Sequence, residues 1–430
     1  MRLNIVLIAL FLTALLLAAV VRAQSPSNPA TGALPPAATP KTDPRRAIAP
    51  AGPVEFLFTG FENGSPLNWE FDPDGTVEIH LLYDQERSSP NRAAGHWFFQ
   101  VRGRSGADVR LMLNNFDNVW NGTKGSPISA KTIGFVSTDA HQWRPIPGKL
   151  LEGNRLELKI HLDAPTIWVA RLPVYRLSDL EALKSELSKS PQVQITTIGR
   201  TVEGRPLEMI RVGRAEAAHR VLLRARAHPW EPGGNWVVEG LLRRLVEDDA
   251  TARRWLARYC VYVMPMANKD GVARGLTRFN LQGKDLNRQW DKPADPRLAP
   301  ENDALEQWLA AMRRQRRQPE LMLELHNDES GKLHISRPNV DLTQYLKRMN
   351  LLEELLVQRT WFREGSTGAN VRNPGTIGEG LLERFGVDAC VLELNANWIA
   401  GLNDYPSADH WKQFGQQLGE VFFEYFGATP

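Results

Sequence analysis

Cysteine is almost absent from this chain, which has only Cys260 and Cys390 among its 430 residues. So low a number excludes a disulfide-stapled fold, in an oxidising compartment as elsewhere. Each cysteine lies inside an apolar run typical of a strand, and the two could pair only if their strands were neighbours. We therefore predict two buried free thiols that pack as small hydrophobic side chains.

An excess of charge of one sign is also missing. The formal net charge is +3, with 23% charged and 42% hydrophobic residues, which is an ordinary globular balance. No block of Lys and Arg interleaved with aromatic residues occurs, and the basic run at 313–317 is predicted to be the polar end of a helix. The sequence therefore predicts no nucleic-acid partner.

The first 23 residues have the pattern of a secretory signal peptide. Arg2 gives a positive start, residues 5–21 are almost wholly apolar, and the small residue Ala23 ends the segment. The apolar run is near the lower limit for a membrane span, so an uncleaved anchor is the alternative. We expect a secreted or periplasmic protein without stable membrane insertion after cleavage, or a membrane-anchored one if the segment is not cleaved.

The pattern of residues changes twice along the remaining chain, which is long enough for two domains with separate cores. Residues 24–52 are rich in Pro and Ala and are predicted to be a linker. Residues 53–175 show short alternating strands between turn residues, which predicts an all-β sandwich. No catalytic constellation occurs there, so packing, substrate gating and partner binding all remain open as its role.

Residues 176–430 alternate between strand-like and helix-like segments, which is typical of an α/β domain. We predict a mixed, mostly parallel sheet covered by helices on both faces. A hairpin is expected to turn at Glu203-Gly204. Helices are predicted at residues 177–189, 232–247, 301–316, 340–360 and 407–426.

Two polar residues follow directly on the apolar run at 221–227. His228 and Glu231 come where a buried strand is predicted to end, the edge at which open α/β sheets carry their ligands. An imidazole and a carboxylate three residues apart can converge on one zinc ion. Such pairs are also common in solvated turns, so the prediction needs a third ligand. His326, at the end of the strand LMLELH, supplies one and leaves a coordination position for water.

A carboxylate also interrupts the strand ACVLELN. Glu393 is flanked by leucines, and burying a carboxylate is unfavourable unless it is paired or functional. Beside an activated water it would act as a general base. The alternative is a structural ion pair with Arg384 or Arg372. Glu324, one strand away, is predicted to support the metal site from behind or to be structural.

The loop after the strand CVYVMPM is rich in Gly, Asn and Arg. Asn287 and Arg288 stand side by side, and together they suit a planar carboxylate because guanidinium donates two parallel hydrogen bonds. Arg278 can stabilise an oxyanion. The alternative is a polar loop that closes on itself.

Five stretches in this order resemble the zinc metallocarboxypeptidase family of the pancreatic carboxypeptidases: GRTVEGRPLEMIRVG, HPWE, NKDGVARGLTRFNLQGKDLNRQW, LELHND and VLELN. They span about residues 190–400 and look most like the cytosolic-carboxypeptidase-like branch, which has a β-sandwich ahead of its catalytic domain. The resemblance implies one zinc ion per chain and a set of roles. These are His228, Glu231 and His326 as zinc ligands, Arg278 at the oxyanion, Asn287 and Arg288 on the terminal carboxylate, and Glu393 as general base.

The sequence departs from that family in two ways. The pancreatic enzymes place a mobile tyrosine over the substrate, yet no tyrosine occurs between Tyr345 and Tyr405. The cytosolic branch is intracellular, whereas this chain has an export signal, so a preference for acidic C-terminal residues does not transfer directly. Arg372 in the loop GANVRNPG is predicted to face the substrate side chain and favour acidic residues. The alternative is a solvated loop arginine.

These observations predict a zinc-dependent metallocarboxypeptidase that removes C-terminal residues from peptides or proteins by means of a zinc- and Glu-activated water. One alternative is a peptidoglycan stem-peptide carboxypeptidase or amidohydrolase on the same scaffold, which the export signal and the linker favour. Another alternative is a non-catalytic zinc-binding module.

Overall fold

The computed structural model describes residues 52–120, 122–338, 340–368 and 375–428. The predicted signal peptide, all of the predicted linker except its last residue, and Arg372 lie outside these described residues. No helix within the described ranges is both long and apolar enough to cross a membrane.

The first part of the described chain, here called the β region, consists of thirteen strands. They are β1 (Val54–Phe58), β2 (Leu67–Phe71), β3 (Val77–Leu81), β4 (Asp84–Gln85), β5 (Arg92–Ala93), β6 (Phe98–Gly103), β7 (Asp108–Asn114), β8 (Asn118–Trp120), β9 (Thr123–Gly125), β10 (Ile133–Ser137), β11 (Arg144–Leu151), β12 (Arg155–His161) and β13 (Thr166–Ala170).

Nine of these strands pair in the order β1-β6-β13-β10-β11-β12-β7-β3-β2. β11 joins two layers, because its first half pairs with β10 and its second half pairs with β12. Alternate side chains from both layers, such as Val101 and Ile167 from one and Leu111 and Leu158 from the other, share one core. This is the expected β-sandwich arrangement. The strands β4, β5, β8 and β9 form a separate small sheet, in the order β4-β5-β8-β9.

The rest of the chain forms an α/β region, and the boundary predicted at residues 175/176 falls between β13 and its first helix. Its strands are β14 (Val193–Arg200), β15 (Pro206–Val212), β16 (His219–Ala225), β17 (Tyr259–Met264), β18 (Leu321–Asp328), β19 (Leu333–Ile335) and β20 (Asp388–Asn395). Its helices are α1 (Leu177–Leu187), α2 (Gly233–Leu245), α3 (Ala250–Arg258), α4 (Lys269–Ala273), α5 (Pro300–Arg314), α6 (Thr343–Arg359), α7 (Ile377–Phe385) and α8 (Ala408–Ala428).

The seven strands pair in the order β14-β15-β17-β16-β18-β20-β19. The four strands β17, β16, β18 and β20 are parallel to one another, while β15 and β19 run in the opposite direction. The prediction of a mixed, mostly parallel sheet is therefore confirmed. The carboxyl ends of β16, β18 and β20 meet at one edge, where parallel sheets carry their sites.

Both faces of this sheet are buried, as predicted for a parallel sheet. On one face, alternate residues such as Leu223 and Leu323 pack with α2, α3, α6 and α8. On the other, residues such as Leu222 and Met322 pack with α5 and α7. Residues 221–225 of β16 and 321–327 of β18 are accordingly buried without interruption.

Most of the predicted elements are found. β14 and β15 form the expected hairpin, and Gly204 at its turn has a φ of +81°, which favours glycine. The five predicted helices correspond to α1, α2, α5, α6 and α8, whereas α3, α4 and α7 were not predicted. Cys260 and Cys390 are free and buried, and burial raises their pKa values to about 11 and about 12, as expected for inert thiols.

Candidate active site

The predicted metal ligands meet at the carboxyl edge of the central parallel strands. His326 and Glu393 are directly paired partners on the neighbouring strands β18 and β20. His228 lies three residues past the end of β16, and the backbone N–H of Glu231 donates to the His228 carbonyl to close a tight turn. Strand register and one turn thus bring together residues that lie far apart in sequence.

The three ligand atoms face one another inside the protein. Nδ1 of His228 lies 2.8 Å from Oε1 of Glu231 and 3.1 Å from Nδ1 of His326. Nδ1 of His326 lies 2.6 Å from Oε2 of Glu231. All three side chains are buried, so two imidazoles and one carboxylate share a small space from which solvent is largely excluded.

This donor set fits zinc. Ligand atoms at about 2.0–2.1 Å from a tetrahedral zinc ion are about 3.3 Å apart. The separations here, 2.6–3.1 Å, are somewhat shorter. Two nitrogens and one carboxylate oxygen are the ligand set of known catalytic zinc sites, which leave one position open. Among the described residues, His228, Glu231 and His326 could therefore hold one zinc ion.

The electrostatics of these three side chains also favour a cation. Burial alone would raise the pKa of Glu231, but the His228 and His326 charges hold it well below its ordinary value. Burial lowers the pKa of His326, but Glu231 raises it far above its ordinary value. A negative carboxylate between two imidazoles is suited to bind a cation.

Two further carboxylates support the histidines from behind. Asp285 accepts from Nε2 of His228 at 3.0 Å, and Oε1 of Glu324 lies 3.4 Å from Nε2 of His326. Such partners keep the proton on Nε2 and direct the Nδ1 lone pair toward the metal. The supporting position predicted for Glu324 is found, and its other contact is the buried Arg224. The role of Asp285 was not predicted from the sequence. Its position two residues before Asn287, in the same polar loop, was the available indication.

Glu393 lies beside the ligand cluster, and one of its carboxylate oxygens lacks a hydrogen-bond partner among the described residues. This oxygen, Oε2, is buried. Burial raises the pKa of Glu393 well above its ordinary value, and the Asp328 carboxylate raises it further. Asp328 and His334 each bring an ionisable atom within 4.8 Å of it. The alternative ion pair with Arg384 is absent from the described contacts, since Arg384 pairs with Glu306.

Arg278 reaches the same site from the loop between β17 and α5. Its Nε and Nη2 atoms both donate to Oδ2 of Asp285 at 2.8 Å. Because Asp285 also accepts from His228, one carboxylate orients both the guanidinium and a metal ligand. The charges of Arg278 and His228 outweigh the effect of burial and hold the pKa of Asp285 well below its ordinary value.

Asn287 and Arg288 follow on the same loop. The Asn287 side-chain oxygen accepts from the backbone N–H of Ile377 at 3.0 Å, and its Nδ2 lies 3.3 Å from Nε2 of His326. The guanidinium of Arg288 donates to the Asn287 carbonyl at 2.8 Å. The loop therefore does close partly on itself, while both side chains still line the cavity in front of the metal ligands.

A cavity of about 470 Å³ joins these groups. Trp120, Ser126 and Pro127 of the β region line it together with residues of the α/β region. No tyrosine is among its described lining residues. Arg372 lies outside the described residues, and its contact with substrate stays a prediction.

Known proteins have similar sequences and a similar fold. A model of the zinc carboxypeptidase family matches residues 180–333. This part of the chain is therefore similar to a zinc carboxypeptidase domain. The match contains the three proposed ligands and the arginine-rich loop, and it confirms the resemblance predicted from the sequence.

Individual relatives are consistent with that match. The chain is 41% identical over 97 residues to cytosolic carboxypeptidase 1 of Mus musculus, which covers 22% of this chain and only 8% of that protein. The metallo-carboxypeptidase of Burkholderia cenocepacia is similar in fold, with a TM-score of 0.75 at 20% identity over 86% of this chain and 98% of that chain.

A Pseudomonas aeruginosa metallo-carboxypeptidase in complex with (2-guanidinoethylmercapto)succinic acid has the same fold, with a TM-score of 0.73 at 21% identity. It covers 86% of this chain and 98% of its own. The α/β region alone cannot supply that coverage. The shared fold therefore includes the β region as well as the α/β region.

Proposed function

We propose that the protein is an exported zinc carboxypeptidase that removes single residues from the C-termini of peptides. The observation that carries this proposal is the convergence of the His228, Glu231 and His326 ligand atoms next to Glu393, whose Oε2 atom has no hydrogen-bond partner among the described residues. Export rests on the pattern of residues 1–23.

Zinc, when bound, would polarise the scissile carbonyl and lower the pKa of a water molecule. Glu393 is the proposed general base, which takes the proton from the attacking water and delivers it to the leaving amine. The water oxygen adds to the carbonyl carbon, and the carbon–nitrogen bond breaks as the amine leaves. Arg278 donates to the oxygen that gains negative charge.

Asn287 and Arg288 are proposed to hold the terminal carboxylate of the substrate. Both line the cavity that contains Glu393, and Arg288 is only partly buried, so its guanidinium can receive a carboxylate. This contact would restrict cleavage to the last peptide bond, because an internal bond offers no carboxylate at that position.

The test uses purified protein supplied with zinc and a mixture of peptides that differ only in the last residue, including Glu-, Lys- and Leu-ended members. Each peptide is also supplied with an amidated C-terminus, and masses are followed over time. We expect stepwise loss of single residues from the free acids, and no cleavage of the amides. Equal cleavage of both forms would contradict the carboxylate contact.

Two variants accompany the wild type. Glu393→Gln should lower kcat by about 10²–10⁴-fold, the usual contribution of a general base, while zinc content stays at one per chain. Glu329→Gln changes an exposed carboxylate that lines the same cavity and should leave kcat unchanged. A Glu393→Gln variant as active as wild type would contradict the mechanism.

Peptidoglycan stem peptides in the same mixture test the cell-wall alternative. If these alone are shortened, the natural substrate belongs to the cell wall. If zinc is bound tightly and no peptide is cut, the protein is a zinc-binding module. Arg372→Ala tests side-chain preference. If the variant cleaves Glu-ended and Leu-ended peptides in the same ratio as wild type, Arg372 does not contact the last side chain of the substrate.

A further inference from the structure

A carboxylate of the β region accepts hydrogen bonds from the backbone of the loop between β17 and α5. Asp84, the first residue of β4, accepts hydrogen bonds from three consecutive backbone N–H groups, and these belong to Thr277, Arg278 and Phe279. The N···O distances are 3.2, 2.7 and 2.8 Å. The middle donor belongs to the arginine that the proposed function assigns to the oxyanion.

Three N–H groups that converge on one anion form a strong local restraint. Hydrogen bonds to an ionised acceptor are shorter and stronger than neutral ones, and successive N–H groups aimed at one point create a concave anion site. Burial raises the pKa of Asp84, and the three N–H donors counteract that rise. Without the carboxylate, these donors would be left unpaired in a partly buried position, which is destabilising.

These hydrogen bonds fix the main chain of Arg278, while its guanidinium is held by a separate contact. The guanidinium of Arg278 is bonded to Asp285 at 2.8 Å, while its main chain is bonded to Asp84. Fixing both ends leaves the side chain little freedom to turn. Such preorganisation of a donor before substrate binds is what makes electrostatic stabilisation effective.

Neighbouring contacts show that the β region touches this loop repeatedly. The N–H groups of Gly95 and His96 both donate to Oγ1 of Thr277, at 3.0 and 3.2 Å, and the N–H of Arg87 donates to the Gly283 carbonyl at 2.8 Å. Asp84 is distinguished from these contacts by its charge and by its bond to Arg278 itself.

We propose that Asp84 is a positioning residue for Arg278, so that the β region supplies part of the catalytic machinery; this rests on the proposed function. Asp84 does not touch the substrate. It holds the main chain from which Arg278 extends, and of these two residues only Arg278 contacts the oxyanion.

The first test compares Asp84→Ala with Asp84→Asn. Displacing a catalytic group by about 1 Å can cost about 100-fold in rate, so Asp84→Ala should lower kcat by about that factor, with KM changed by no more than about twofold. Asn keeps one acceptor oxygen and should restore part of the loss. Zinc should remain at one per chain in both variants.

Asp139→Ala is the matched control. Asp139 is also a carboxylate of the β region that accepts from two consecutive backbone N–H groups, those of His141 and Gln142 at 2.8 Å, but within its own turn. We expect it to leave kcat unchanged. An equal loss of kcat in Asp139→Ala and Asp84→Ala would show a general effect of the β region and overturn the proposal.

A double-mutant cycle with Arg278→Ala separates positioning from a structural role. Removal of one oxyanion donor lowers kcat by about 10²–10³-fold. In that background, Asp84→Ala should reduce kcat by no more than about twofold, because the side chain that it positions is gone. If Asp84→Ala causes the same loss with and without Arg278, the proposal is wrong.

Hydrogen exchange gives a readout that does not depend on peptidase activity. The amides of residues 277–279 should exchange at least about tenfold faster in Asp84→Ala than in wild type or Asp139→Ala, because they lose their acceptor. If wild type cuts no peptide, the proposed function fails, and exchange alone then decides whether Asp84 holds the segment. Unchanged protection of these amides in Asp84→Ala or, should that variant not fold, Asp84→Asn overturns the proposal.

Discussion

The candidate site has two halves that are held in different ways. The ligand half, His228, Glu231, His326 and Glu393, lies at the ends of β16, β18 and β20. The loop half, residues 265–299, lies between β17 and α5 and contains one helix of five residues.

Main-chain pairing fixes the ligand half, since His326 and Glu393 are partners in a continuous parallel ladder. Contacts from other parts of the chain fix the loop half. Asp84 binds its centre, and the β14–β15 hairpin binds its start, where Thr201 Oγ1 donates to Asp270 at 2.7 Å. The rigid half therefore fixes the positions of the proposed metal ligands, whereas the loop half depends on distant partners for its shape.

The largest expected effect comes from the ligand half. His326→Ala removes one of three metal donors, so zinc content should fall from one per chain toward zero and peptidase activity should fall to background. Metal analysis after dialysis and the peptide assay measure both. His219→Ala, at the opposite end of the same sheet, is the control and should keep zinc and activity. A His326→Ala protein that retains zinc would remove this residue from the ligand set.

The next prediction concerns the residue that links the halves. Asp285→Asn weakens its bonds to both His228 and Arg278, so zinc affinity should fall by about 10–100-fold and kcat at saturating zinc should fall as well. Competition with a chromophoric chelator measures the affinity. Asp295→Asn, on the surface of the same loop, should change neither quantity. Loss of kcat with unchanged affinity would show that the two halves act independently.

The ligand half could be predicted from the sequence because strand ends are local features. The apolar runs before His228 and His326 and around Glu393 predict strands, and parallel strands must present their carboxyl ends at one edge. The roles of the residues came from the resemblance to a family. The α7 helix was missed because its sequence IGEGLLERF follows a stretch rich in Gly, Asn and Pro.

The loop half could be predicted only as a set of residue types. Arg278, Asn287 and Arg288 indicate anion chemistry, but nothing local says which backbone carries them into the site. Asp84 lies in a strand of two residues, and its contacts with the loop span more than 190 positions in sequence. Periodicity and composition carry no information on contacts of that range, so the role of the β region remained open until the structure was known.

Two glycines test the dependence of the loop on the β region. Gly275 and Gly204 both have positive φ, at +64° and +81°, so alanine is strained at either position. A Cβ at Gly275 would lie 2.1 Å from the Gly64 carbonyl oxygen of the β region, whereas no described atom lies within 4 Å of a Cβ at Gly204. We expect Gly204→Ala to lower the free energy of unfolding by about 1 kcal/mol.

Gly275→Ala should lower it by about 1–3 kcal/mol more, because overpacking adds to the same backbone strain. Urea unfolding followed by circular dichroism measures the two variants, and the difference between them isolates the contact with the β region. Equal destabilisation would mean that the loop can move away from the β region at little cost, so that contact with the β region does not fix its shape.

A pH-dependent effect is expected from a buried acid next to the loop half. Glu301, at the start of α5, accepts from the Asn280 side chain at 3.0 Å, and burial raises its pKa from 4.5 to about 7. Below pH 4.5 the carboxyl is neutral in both the folded and the unfolded protein. As the pH rises from 4.5 through about 7, the unfolded chain loses this proton first, so the stability that the neutral acid provides is lost.

Glu301→Gln keeps the shape of the side chain but cannot ionise. One pKa unit corresponds to about 1.4 kcal/mol, so the unfolding free energy of the variant relative to wild type should rise by about 3 kcal/mol between pH 4.5 and pH 8. Glu55→Gln, on the exposed face of β1, controls for the loss of one surface charge. A constant difference across this range would mean that Glu301 is already ionised in the folded protein. Its carboxylate would then hold the loop half through a charge rather than through a neutral hydrogen bond.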